Sequence, residues 1–270
     1  MSADSADQLV AAGRYQEAYA ALKGEIAESD RGYHWESIGR ACSNIGSRLQ
    51  WKDPGAAAFF YGKAISAYSA FAAASLDGGE GSFRMIAVRD AEEALRNLGR
   101  ANRPGPDEVG FMDGYCARVP QTGDVLKLLE KQYERFPYDL RAIPEGKQTY
   151  RYDWNKWTVA EVVNHITDTE RIFSYRALRI ARRDTTPLPG FEQDPYVGSS
   201  QADRREWRDL VDEWESVRSA TLSLFRSLPT ASWLNRGEAS GKTVSVRALA
   251  CGIWGHLDHH AYVLNQRYLR

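Results

Sequence analysis

Between Trp207 and Leu228, apolar residues recur at three- and four-residue intervals: Trp207, Leu210, Val211, Trp214, Val217, Leu224, Phe225 and Leu228, with Thr221 on the same stripe. That spacing matches the 3.6-residue turn and predicts an amphipathic helix running from about Gln201 to Leu228. Three further stretches read the same way. One is expected from about residue 123 to 136, centred on 125–133 and ended by Pro137. Another begins at Thr158, where Glu161 three residues on completes a capping box, and runs to about Arg183. The last starts between Thr243 and Val246 and reaches almost to the C-terminus. Period-2 alternation is nearly absent, so almost no strand is expected. The fold class is therefore all-α, and four long one-sided helices predict a four-helix bundle.

The first hundred residues have a different texture. They are rich in alanine and other small residues and form shorter periodic runs at 12–22, 34–39, 57–65 and 89–98, with Asp53, Pro54 and Gly55 as a break. Trp35, Ile38 and Gly39 follow a W-x-x-L-G opening, and Ala57, Tyr61 and Ala64 a small–aromatic–small spacing. These stretches resemble tetratricopeptide repeats, with extra residues around 50–55 and a degenerate third repeat. A generic stack of helical hairpins fits equally well. Glycine and proline cluster at residues 99–121, which read as a linker. The expected division is a repeat-like domain at 1–100, a linker at 101–121 and a bundle domain at 122–270.

Composition excludes more than it assigns. The chain has 270 residues, 43% hydrophobic and 26% charged, with a net charge of −1 and a pI near 6.5. Nothing in that balance marks a nucleic-acid or anionic-membrane binder. No apolar run approaches a membrane span, and the N-terminal MSADSAD has no signal-peptide core, so a cytoplasmic location is expected. Three cysteines, Cys42, Cys116 and Cys251, are odd in number and unpatterned, which suits reduced thiols better than a disulfide framework.

Four of the five histidines fall in two of the expected helices. His256 and His260 are four residues apart, one above the other on a helix face, and sit near the middle of the stripe of Leu249, Ile253, Val263 and Leu264. Two unpaired imidazoles in a core are costly to desolvate, and a shared metal ion removes that cost. His165, at the edge of the stripe of Val162, Ile166 and Phe173, is the candidate third ligand from a facing helix, with a solvent-facing position as the alternative. His259 lies about 60° off the stripe and is the weaker candidate. Three imidazoles with an open fourth position describe a catalytic site more than a structural one.

Residues 122–270 also carry a broader pattern: WTVAEVVNH ending at His165, PGFEQDPY at 189–196, the helix end at 218–229, and GKTVSVRAL at 241–249 leading to His256, His259 and His260. Together these resemble the DinB/YfiT-like metalloenzyme superfamily. The resemblance implies a four-helix bundle holding one divalent ion through His165, His256 and His260, with zinc, nickel and iron not distinguished. It also implies chemistry on a low-molecular-weight thiol of the bacillithiol or mycothiol kind, as an S-transferase or isomerase; a metal-dependent hydrolase is the alternative. The expected partner is a small-molecule substrate. A protein partner on the N-terminal repeats and a homodimer are further options, and in a rival reading the chain is a non-enzymatic interaction protein with a metal-stabilised bundle.

Two other residues are candidates for catalysis. Glu170, near the core side of its helix, suits a general acid/base or a partner of the ligands, against an ordinary ion pair. Arg247 at the start of the last helix suits an anionic substrate group, against a surface position. Asp168 and Asp258 can orient histidine N–H groups or face solvent. Trp157 and Tyr196 can wall a pocket or simply fill the core.

Overall fold

The computed structural model describes residues 4–29, 34–50, 53–74, 81–100, 103–120 and 124–269. The chain divides into two compact units, Met1–Leu98 and Gly99–Arg270.

The first unit is built from α1 (Ala6–Ala11), α2 (Tyr15–Ser29), α3 (His34–Leu49), α4 (Pro54–Ala74) and α5 (Gly81–Arg100), the last ending just past the boundary. Ser5 caps α1: its hydroxyl accepts from the Gln8 N–H, and the Gln8 side chain accepts from the Ser5 N–H at 2.8 Å. The core gathers Leu9, Leu22, Ile38, Cys42, Ile45, Phe60 and Tyr68 with Ala18, Ala64 and Ala67. Helices α3 and α4 pack closely because α3 carries glycine where α4 carries aromatics. A Cβ on Gly39 would stand 2.7 Å from the Tyr68 ring. The side chain of His34 lies outside the described residues.

The second unit is the expected bundle. It comprises α6 (Asp113–Cys116), α7 (Val125–Arg141), α8 (Glu145–Gln148), α9 (Val159–Ala181), α10 (Gln193–Ser200), α11 (Trp207–Ser227) and α12 (Val246–Val263). The four long helices close a ring in which α7 packs on α11, α11 on α9, α9 on α12 and α12 on α7. The capping box at Thr158 and Glu161 forms, with Glu161 N donating to the threonine hydroxyl at 3.1 Å and Thr158 N to the carboxylate at 2.8 Å. Asp124 caps α7 and Ser245 caps α12.

Three expectations are corrected here. Pro137 does not end α7, which continues to Arg141 with the proline ring buried inside it. Proline breaks one backbone bond, and burial of Phe136 and Leu140 on the same face carries the helix across the gap. Helix α11 begins at Trp207 and not near residue 201, because Gln201 at positive φ and a 3-10 turn at Ala202–Arg204 interrupt the helical path. Helix α12 begins at Val246, inside the expected range, directly after strand β2 (Lys242–Ser245), which pairs antiparallel with β1 (Arg236–Ala239) around Ser240 and Gly241, both at positive φ. Finally, the linker expected at 101–121 is packed structure. Val109, Met112, Cys116 and Val119 are buried in the bundle core, and residues 103–120 form a strap against α12 and β2. Its glycines and prolines shape a compact path rather than a flexible one.

The bundle core is two apolar clusters with a polar layer between them. One holds Leu129, Phe173, Ala177, Ile180, Leu222, Phe225, Leu249 and Ile253; the other Phe136, Leu140, Val159, Val163, Ile166, Leu210, Trp214, Leu257 and Leu264. Each long helix changes cluster at a polar position: Gln132 on α7, His165 to Glu170 on α9, Arg218 on α11 and His256 on α12.

Candidate metal centre

His165 on α9 and His256 and His260 on α12 converge in that layer. The Nε2 atoms of His165 and His256 are 3.0 Å apart, those of His256 and His260 3.1 Å, and the three ligand nitrogens all lie within 4.8 Å of one another. His165 and His256 are buried and His260 is half-buried. Burial lowers all three: His165 to about 4, with the Asp194 carboxylate on α10 pulling weakly the other way, His260 to about 3, and His256 well below its ordinary value. The neighbouring histidines add to the lowering at His256 and His260. All three rings are therefore neutral at pH 7, the state in which imidazole is a ligand.

The donor set fits a single ion better than hydrogen bonds alone. A neutral imidazole nitrogen carries one proton or one in-plane lone pair. His256 Nε2 thus cannot make both of its contacts as good hydrogen bonds. Nitrogens about 2.0–2.1 Å from one ion stand about 2.8–3.4 Å apart for coordination angles of about 90–110°, which brackets the 3.0 and 3.1 Å separations. Imidazole donors suit zinc, nickel, iron or copper.

The walls are aromatic. Trp157 lies 4.8 Å ring to ring from His165, Tyr115 5.2 Å edge-on from His256, and Phe173 6.3 Å from His256. Tyr115 comes from the strap, and burial raises its phenol above the ordinary value. It can lie this close because α12 has no side chain at Gly255, where a Cβ would overlap the Tyr115 carbonyl oxygen. Tyr115 is a site residue the sequence reading missed, and Asp194 is an exposed carboxylate whose charge reaches His165. The segment of Tyr115 looked like a linker, and nothing in the spacing of Asp194 pointed to a histidine. His259 packs edge-on against His260 and at a tilt against Tyr115 but stays out of the three-nitrogen cluster.

Neither of the two catalytic candidates is free for chemistry. Glu170 is 2% exposed and forms a bidentate pair with the fully buried Arg218, at 2.7 and 2.9 Å. Arg247 is not at the surface. It is buried and bonded through Nε to both oxygens of Glu108 in the strap, at 3.0 and 3.1 Å. Neither side chain approaches the histidines in a bond. Asp258 pairs with Arg118 at 2.7 Å, and Asp168 accepts from Asn164 at 2.8 Å and faces Arg171. Tyr196 is exposed and packs on Phe191 rather than on a histidine.

The family model of the DinB superfamily matches residues 128–264, just over half of the chain, a span that contains all three histidines. No curated protein matches. Among solved structures, YfiT from Bacillus subtilis, described as "a probable metal-dependent hydrolase with an unusual four-helix bundle topology", is similar at a TM-score of 0.47 and 13% identity. That match covers 52% of this chain and 82% of that one. A likeness at that level leaves the chemistry of this chain open.

Proposed function

The chain belongs to the DinB superfamily, and on that premise we propose that it is a metal-dependent enzyme using His165, His256 and His260 to hold one divalent ion. The observation that carries this reading is the convergence of three neutral imidazoles, with His256 Nε2 3.0 Å from that of His165 and 3.1 Å from that of His260 and all three within 4.8 Å, in an otherwise apolar-walled site. An ion held by three neutral ligands keeps its full positive charge and an open position, and so lowers the pKa of a thiol or water bound there. Within that reading we favour transfer of a low-molecular-weight thiol, of the bacillithiol or mycothiol kind, to an electrophilic substrate.

The surrounding carboxylates favour thiol over water. A thiol ionises readily once its pKa falls, whereas water addition benefits from a general base. Glu170 and Asp258 are held in ion pairs, and Asp168 is bonded to Asn164 and Arg171, so none is available as that base. The apolar faces of Trp157, Tyr115 and Phe173 exclude bulk water and suit a polarisable sulfur. The hydrolase alternative rests on Asp194, whose charge acts on His165 and which has no ion pair among the described residues. For the N-terminal unit, a cleft of about 630 Å³ between α1, α2 and α3, lined by Asp7, Glu25, Asn44 and Arg48, supports a partner-docking role.

The test begins with metal content of untagged protein. One ion per chain is expected, with most of it lost on replacing His165, His256 or His260 by alanine and little lost with His259→Ala. Loaded protein is then offered a thiol with a panel of electrophiles, and separately a panel of esters and amides. Thiol loss that depends on His256 supports the transferase. Ester or amide cleavage that depends on Asp194 supports the hydrolase. Full metal retention in all four variants removes the metal reading.

A further inference from the structure

Among the described residues of the bundle unit three arginines are buried, and two have a carboxylate partner: Arg218 with Glu170 and Arg247 with Glu108. The third, Arg176 on α9, is 2% exposed and has no carboxylate partner among the described residues. Its Nη2 donates to the Pro189 carbonyl at 2.7 Å and to the Ser240 hydroxyl at 3.1 Å. Its Nη1 is buried with no hydrogen-bond partner. Its guanidinium carbon lies 5.3, 5.9 and 5.9 Å from the ring centres of Phe111, Phe173 and Phe191. Burial alone holds this guanidinium below its ordinary value. A buried charge with an unmade bond and no counter-ion is an expensive feature for a fold to keep. Its cradle is nonetheless well defined. Leu188 N donates to the Glu238 carbonyl at 3.0 Å and Ser240 N to the Leu188 carbonyl at 2.9 Å, so the 184–191 loop is bonded to the hairpin that supplies Ser240.

We propose that Arg176 is an anion-recognition residue whose Nη1 binds the carboxylate of an organic ligand, with the ligand's apolar body lying against Phe111, Phe173 and Phe191. A carboxylate supplies the missing counter-charge and accepts the unmade bond; a single guanidinium with no second cation in the cradle suits a monoanion; and three phenyl rings suit an apolar carrier. Phe111 is 38% exposed and Phe191 half-buried, so these two rings form the side from which a ligand enters. Phe173 is the wall shared with the metal centre, since it also packs on His256. His165 and Arg176 stand eleven residues apart, about three turns and about 16 Å along the same face of α9. Calling this ligand a substrate rests on the enzyme reading above; the anion site itself does not.

The experiment is calorimetric titration of full-length, metal-loaded protein with benzoate, with its neutral isostere benzamide, and with inorganic phosphate. Wild type should bind benzoate about tenfold or more tighter than benzamide, the factor expected for one charge-assisted hydrogen bond to a buried group. Arg176→Met should lose that factor, and His256→Ala should keep it while losing metal. Equal affinity for benzoate and benzamide overturns the proposal, as does unchanged benzoate binding in Arg176→Met. Loss of benzoate binding in His256→Ala with retention in Arg176→Met also overturns it, because the carboxylate then sits on the ion. Preference for phosphate overturns the carboxylate assignment. Should Arg176→Met fail to fold by circular dichroism, the wild-type comparison of benzoate with benzamide decides alone. Wild type that binds benzoate but no metal would sink the enzyme reading and leave the anion site standing.

Discussion

Replacing Glu170 by alanine separates a structural carboxylate from a catalytic one. Arg218 is fully buried, and its Nε and Nη2 both bond to Glu170 while Nη1 bonds to the Leu129 carbonyl at 3.2 Å and to Gln132 at 3.1 Å. The alanine leaves that guanidinium with two unmade bonds and no counter-charge, its remaining support being the two Nη1 bonds and the Trp214 ring 5.0 Å away. Breaking one side of such a pair costs about 3–5 kcal/mol, a large part of the roughly 5–15 kcal/mol that holds a domain folded. At a urea slope of about 2 kcal/mol/M, the midpoint falls by about 2 M. Removing both charges together, in Glu170→Met with Arg218→Met, recovers most of that loss because neither buried charge remains unpaired. The assay is urea unfolding of the metal-free chain followed by tryptophan fluorescence. Six of the eight tryptophans lie after residue 99, so the signal reports mainly on the bundle. Metal affinity of folded Glu170→Ala should stay within a few-fold of wild type. A midpoint shift under 0.5 M, together with loss of thiol-transfer or hydrolytic activity, would refute the reasoning and return Glu170 to the chemistry.

Gly255→Ala should lift the strap from α12, since its Cβ overlaps the Tyr115 carbonyl oxygen. A cost of about 1–3 kcal/mol is expected, lowering the melting temperature by several degrees and speeding proteolysis within residues 105–120; an unchanged melting curve would contradict the packing described. For the metal-free protein, stability should fall with acid. Burial puts His165 near 4 and His260 near 3 in the folded chain, whereas the unfolded chain binds those protons from about pH 6.5 downward. The stabilisation is thus full above about pH 6.5 and lost as pH falls toward 4. His165 alone accounts for about 3 kcal/mol over that interval. A flat urea midpoint between pH 7 and 4.5 would show that the rings are solvated.

What was legible in the sequence is what depends on neighbours within a few residues. The helical stripe of 207–228, the capping box at Thr158 and Glu161, and the four-residue spacing that stacks His256 on His260 all follow from the turn of a helix. That His165 would meet them needed a facing helix turned so that the edge of its apolar stripe points inward, which the stripe alone leaves open. Other features were decided by tertiary structure alone. Glu170 and Arg218 are 48 residues apart, and Glu108 and Arg247 are 139 apart, so whether each charge is free or buried in a pair depends on which surfaces meet. The strap at 103–120 has the composition of a linker, yet it places Tyr115 against His256 because Gly255 leaves room on α12. Pro137 is a helix terminator in isolation and an interior residue here, because burial of Phe136 and Leu140 offsets the one backbone bond it removes. Local propensity writes the helices; long-range desolvation and pairing determine which of their polar side chains remain available for chemistry.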